Sequence, residues 1–113
     1  MALLTAFLAA FVGTPATGIY GTVHRGPITP VCRIDVPCEE PANVTLVFTK
    51  LGRTIARVHT RPDGSYRIRL RPGRYSVRTT STSVFERRPD PATATVPRVG
   101  YRRINLFVDT GIR

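Results

Sequence analysis

The sequence predicts an all-β fold, a seven-stranded Greek-key β-sandwich preceded by an apolar, signal-like segment. Three observations carry that prediction. Apolar and polar residues alternate with period two through most of the chain, as in Tyr66-Arg67-Ile68-Arg69-Leu70. Turn chemistry recurs at short intervals, at Leu51-Gly52-Arg53, Pro62-Asp63-Gly64 and Pro72-Gly73. Beyond the N-terminal run, no stretch repeats with the 3.6-residue period of a helix.

Met1 to Val12 is an uncharged apolar run, and Gly13-Thr14-Pro15-Ala16 then supplies small residues suited to a signal peptidase. The run is shorter than the roughly 20 residues that a spanning helix requires, so no transmembrane span is expected in the mature chain. Residues 1–16 are therefore read as a signal peptide and 17–113 as one domain. The run lacks the Lys or Arg that normally opens such a signal, as expected where the true start lies upstream of Met1. The competing reading is a buried amphipathic helix or an apolar first strand.

The strands follow in order. Ile19, Gly21 and Val23 share one face of the first, while Tyr20, Thr22 and His24 share the other. Arg25 to Pro41 is a Pro-rich loop holding Cys32 and Cys38. Val44, Leu46 and Phe48 mark the second strand, and Thr54 to Thr60 the third, with Ala56 and Val58 facing in. Asp63-Gly64 feeds a fourth strand in which Tyr66, Ile68 and Leu70 point inward and Arg67, Arg69 and Arg71 outward. Pro72-Gly73 reverses the chain into a fifth, over Arg74 to Arg78. Thr79 to Pro91 is a polar connection expected to cross between sheets. Thr93 to Val99 and Arg102 to Val108 complete the set, with Ile104, Leu106 and Val108 facing in.

Two cysteines behind a signal-like start predict a disulfide, Cys32 to Cys38, which supports an exported, oxidising destination. Zinc is the rival reading. Five residues separate the pair where zinc pairs use two to four, and no second cysteine pair exists, so neither a metal nor a cofactor is expected.

Three stretches together look like a known domain. They are Gly18-Ile19-Tyr20-Gly21-Thr22-Val23, Pro41-Ala42-Asn43-Val44-Thr45-Leu46-Val47, and the run from Asp63-Gly64-Ser65-Tyr66 through Leu70-Arg71-Pro72-Gly73-Arg74-Tyr75-Ser76-Val77. They resemble the carboxypeptidase regulatory-like domain of the transthyretin-like, or prealbumin-like, β-sandwich group. The resemblance implies a secreted or cell-surface accessory, adhesion-type or spacer module with no catalytic set of its own. The bridged loop after Pro30 departs from the general pattern.

No catalytic residues are assigned, and the chain is not expected to be an enzyme. Asp109-Thr110-Gly111 matches the aspartic-protease triplet, but the strands that pack around such a loop do not follow it here. His24 and His59 accompany no nucleophile motif. Asp35, Glu39 and Glu40 form an acidic edge without regular calcium-ligand spacing. An isopeptide bond between Lys50 and Asn105, with Glu86 as the acid, is a further, weaker candidate.

Charge supplies the one binding hypothesis. Lys and Arg number 17 against 7 Asp and Glu, a net charge of +10, and every basic residue but Lys50 is Arg. Alternation sets Arg67, Arg69 and Arg71 along one side of a strand, about 6.8 Å apart. Arg57 with His59, and Arg74 with Arg78, join that stripe if their strands pair beside it. Such a stripe suits an extracellular polyanion, with intracellular nucleic acid disfavoured by the export signal and disulfide. A solvated outer sheet face is the plainer alternative, because stacking aromatics are scarce among these residues and Tyr66 and Tyr75 point inward.

Overall fold

β1, Thr17–Gly26, is the organising strand, and its sequence shows why. Ile19 and Val23 are fully buried, while Gly18 and Gly21 let neighbouring chains come close, so β1 accepts partners along both edges. The computed structural model describes residues 16–81 and 86–112. The first fifteen residues of the signal-like segment lie outside the described residues.

Two sheets pack face to face. In the first, β1 lies between two lines of shorter strands. On one edge, antiparallel β5 (Ser65–Arg69) pairs with residues 18–22, and β2 (Glu40–Pro41) continues that line beside His24 and Arg25. On the other edge, parallel β8 (Gly100–Arg103) and β9 (Leu106–Asp109) pair with residues 17–20 and 23–26. The second sheet runs in the order β4 (Arg53–His59), β3 (Thr45–Lys50), β6 (Gly73–Thr79), β7 (Thr93–Val96). The return of β6 to lie beside β3 is its Greek-key feature. No helix occurs among the described residues.

The expected all-β sandwich is what forms, with nine strands in place of seven. One addition is the two-residue β2 inside the expected loop. The other arises because the expected last strand breaks at Ile104-Asn105. There the Ile104 N–H still donates to the Tyr20 carbonyl (2.8 Å), but the next acceptor is the Asn105 side chain, whose Oδ1 takes the Thr22 N–H (3.1 Å). The core between the sheets is built from the alternating residues the sequence marks: Ile19, Val23, Leu46, Phe48, Tyr66, Tyr75, Val77, Leu106 and Val108, with Ala56, Val58 and Ile68 at its margin.

The connection after Thr79 does not cross between sheets as expected, since β6 and β7 are antiparallel neighbours in one sheet. It does touch the other sheet in passing: Asp90 and Phe107 exchange backbone hydrogen bonds of 2.8 and 2.9 Å. The crossing itself is made later, by Pro97-Arg98-Val99 between β7 and β8. A disulfide joins Cys32 to Cys38, with Cα atoms 5.5 Å apart, and closes a loop whose Val31, Ile34 and Val36 are exposed.

Candidate functional site

The expected single arginine stripe is divided by this topology. β5 pairs with β1, whereas β4 and β6 both pair with β3, so Arg67 and Arg69 lie on the outer face of one sheet and Arg57, Arg74 and Arg78 on the outer face of the other. The reason is physical: the Asp63-Gly64 turn bends the chain from one sheet to the other rather than closing a hairpin. The Gly64 N–H bonds the Arg61 carbonyl (2.8 Å), and the Gly64 carbonyl then accepts from Val23 of β1 (2.8 Å). Arg71 belongs to neither face. It precedes the Pro72-Gly73 turn, where its carbonyl accepts the Tyr75 hydroxyl (2.7 Å).

The outer face of the first sheet carries Tyr20, as alternation along β1 implies, and beside it Tyr101, which alternation does not place there. In register, Tyr20 is flanked across β1 by Arg67 on β5 and Arg103 on β8, and Gly18 is flanked by Arg69 and Tyr101. Because Gly18 has no side chain, the Tyr101 ring settles over it; a Cβ there would sit 2.6 Å from Tyr101 Cε2. The Arg67 guanidinium then stacks on that ring, 3.9 Å from its centroid, within the range of a cation–π contact. A shallow cavity of about 310 Å³ opens beside it, lined by Tyr20, Thr22, Arg61, Ser65, Arg67 and Arg103 among others. Spacing along β5 gives the arginines but not the Tyr101 ring, which arrives through the parallel pairing of β8 with β1.

The outer face of the second sheet is simpler. Val47 faces outward yet is only 3% exposed, because Arg57 and Arg78 stand directly beside it on either strand and cover it with their stems. Arg87 completes a cavity of about 400 Å³ there, its Nε donating to the Ser81 carbonyl (3.1 Å). Arg74 pairs with Thr95 farther along.

Acidic groups are segregated from these arginines: β3 through β8 contain none, and Arg25 near the end of β1 gathers two of the seven. There Arg25 binds Glu86 through Nε (3.0 Å) and Nη2 (2.8 Å) and Glu40 through Nη1 (2.6 Å), beside a cavity of about 560 Å³ that His59, Asn43 and Thr45 also line. The Glu86 hydrogen bonds, then those of Glu40, push the Arg25 pKa further up. The Ser65 hydroxyl and N–H bond Asp63 (2.6 and 2.9 Å) and draw its pKa down. Asp109 accepts from the Gly111 N–H (2.8 Å), so Asp109-Thr110-Gly111 closes a turn. His59 Nδ1 bonds the Thr45 hydroxyl (2.9 Å). Among the described residues, no three His, Cys, Asp or Glu side chains gather as metal ligands. Lys50 and Asn105 are far apart in the fold: Lys50 lies over the Tyr75 ring on the second sheet, and Asn105 bonds Thr22 on the first.

No family model matches this sequence, and no curated protein matches it either. A solved structure does match in fold. It is a DUF3823 family protein from Parabacteroides merdae ATCC 43184, with a TM-score of 0.51 at 20% identity. The likeness covers 84% of this chain and 46% of that one, so this chain spans about half the length of its neighbour. At that identity the likeness shows a shared β-sandwich fold.

Proposed function

We propose that this chain is an exported, non-catalytic binding module of the carboxypeptidase regulatory-like class, acting as an accessory or adhesion-type component at a cell surface. The observation that carries this reading is where the titratable side chains are spent. Asp63 and Asp109 close turns, His59 ties β4 to β3, and Glu40 and Glu86 hold Arg25. His59, Asp63 and Glu86 each hold one hydroxyl, of Thr45, Ser65 and Ser81, but among the described residues no carboxylate bonds His59 to complete the nucleophile, base and orienting group that a hydrolytic triad needs. The disulfide supports an oxidising destination, and among the described residues no helix is long and apolar enough to cross a membrane. Incubation of the purified chain with peptide, ester and glycoside substrates is expected to give no turnover above buffer. Hydrolysis that co-purifies with the chain and survives further chromatography overturns the non-catalytic reading.

A second reading, extracellular polyanion binding, is favoured by one specific observation: both sheet faces carry arginines and the strands that bear them carry no carboxylate. Retention on a heparin column, weakening as salt rises, is its expected signature.

A further inference from the structure

Tyr20 is anomalous on β1. It is 38% exposed in the middle of the longest strand, on a strand whose other side feeds the core, and its register partners on the two neighbouring strands are both arginines. Across a sheet, neighbouring strands are about 4.8 Å apart, so the backbones of Arg67 and Arg103 stand roughly 10 Å from one another on either side of Tyr20. Arg67 is already oriented: stacked on Tyr101 over the recess at Gly18, its planar fork has lost much of the rotamer freedom that binding an anion otherwise costs. Arg69, opposite Gly18, extends the charge along the same face. No acidic residue lies on β5 or β8 to compete for these guanidinium groups.

We infer that this face binds an acidic polysaccharide, with one sugar ring laid on Tyr20 and its carboxylate or sulfate groups held by Arg67 and Arg103. An apolar ring face flanked by two cationic forks fits an anionic sugar, since the ring supplies the flat contact and the forks pair with planar carboxylates or with sulfate oxygens. Single-stranded nucleic acid fits less well. It is held by successive bases on successive aromatic platforms, and here the Tyr101 ring is occupied by Arg67, while Phe107, the other ring of this face among the described residues, stands opposite His24, four residues farther along β1 than Tyr20. The disulfide agrees with an extracellular ligand. The inference rests on the polyanion reading above and narrows it to one of the two faces.

The test is calorimetric titration of the full chain with polygalacturonate, heparin and oligo-dT at matched anion concentration and low salt. Four variants are compared with wild type: Tyr20→Ser, Tyr20→Phe, Arg103→Gln, and the paired Arg57→Ser/Arg78→Ser on the opposite face. Binding to polygalacturonate, heparin or both is expected, and which of the two binds tells uronate from sulfate as the recognised group. Arg103→Gln and Tyr20→Ser are each expected to weaken it about tenfold, while Tyr20→Phe and the paired variant bind as wild type. Arg103 is exposed and decides the matter if Tyr20→Ser melts early. If the paired variant loses binding and Arg103→Gln does not, the site is overturned while polyanion binding stands. Tighter binding of oligo-dT, lost in the same Tyr20 and Arg103 variants, overturns the ligand class. Wild type that binds none of the three overturns the polyanion reading and this site together.

Discussion

Glu86 closes on Arg25 from 61 residues away in sequence, with Nε and Nη2 sharing its Oε1 at 3.0 and 2.8 Å. Its second oxygen, Oε2, accepts the Ser81 hydroxyl (2.8 Å), and its backbone carbonyl accepts the Thr79 hydroxyl. The Glu86 side chain is 14% exposed and that of Arg25 33%, so the pair is worth more than a surface ion pair and less than a fully buried one. Glu86→Gln leaves Glu40 as the one carboxylate bonded to Arg25 and is expected to cost about 1–3 kcal/mol. Urea unfolding of Glu86→Gln, Arg25→Met and the double variant reads the coupling. Additive losses would falsify the idea that this pair fastens the β6–β7 connection to β1.

Tyr66 makes the alkaline limb of stability predictable. Its ring is buried, its hydroxyl donates to the Ile104 carbonyl, and burial pushes its pKa above the ordinary value of 10.0. A raised folded pKa means that the unfolded chain gives up this proton first. The contribution is therefore complete below pH 10 and shrinks as pH rises beyond it, by up to about 1.4 kcal/mol per pH unit. Tyr66→Phe is expected to flatten that limb between pH 10 and 11.5 while costing about 1 kcal/mol at neutral pH. Equal slopes for the variant and wild type in chemical denaturation across that range argue against Tyr66 as the source.

How much of this was readable in advance follows from the range of each interaction. Local signals read well: the Pro62-Asp63-Gly64 turn, the inward set Tyr66, Ile68 and Leu70, and the outward set Arg67 and Arg69 all stand as alternation and turn chemistry imply. Sheet membership did not, because a turn sequence does not say whether the next strand pairs with the last or bends to the other sheet. That ambiguity alone divides the expected arginine stripe. The Arg67–Tyr101 stack was beyond reach for a second reason: it needs β8 to pair in parallel with β1 and bring Tyr101 opposite Gly18 from 83 residues away, and its one local trace is the gap left by Gly18 beside the outward Tyr20.

Thr60 anchors the end of β4 through its side chain. Only 2% exposed, its hydroxyl donates to the Ala42 carbonyl (2.7 Å) and accepts the Val44 N–H (2.9 Å). Thr60→Val keeps the shape and orphans both backbone groups, so a loss of about 2–3 kcal/mol is expected, with Thr60→Ser recovering most of it. Hydrogen exchange at Val44 should rise in the valine variant alone. Unchanged exchange there means that water replaces the hydroxyl and the bond is dispensable.

Gly18 is set by crowding rather than by turn geometry. A Cβ at this position would fall well inside van der Waals contact distance of the Ile68 carbonyl oxygen, 3.1 Å from Arg69 Cα and 2.6 Å from Tyr101 Cε2. The ring can swing away, but the β5 backbone cannot retreat without lengthening its ladder to β1, which spans Gly18 to Thr22. Gly18→Ala is thus expected to cost about 3 kcal/mol and to lower the melting temperature by roughly 10–20 °C. Adding Tyr101→Ala separates the two obstacles. If the backbone clash dominates, the double variant stays as unstable as Gly18→Ala; if stability returns, the ring alone was the barrier and β5 has room to spare.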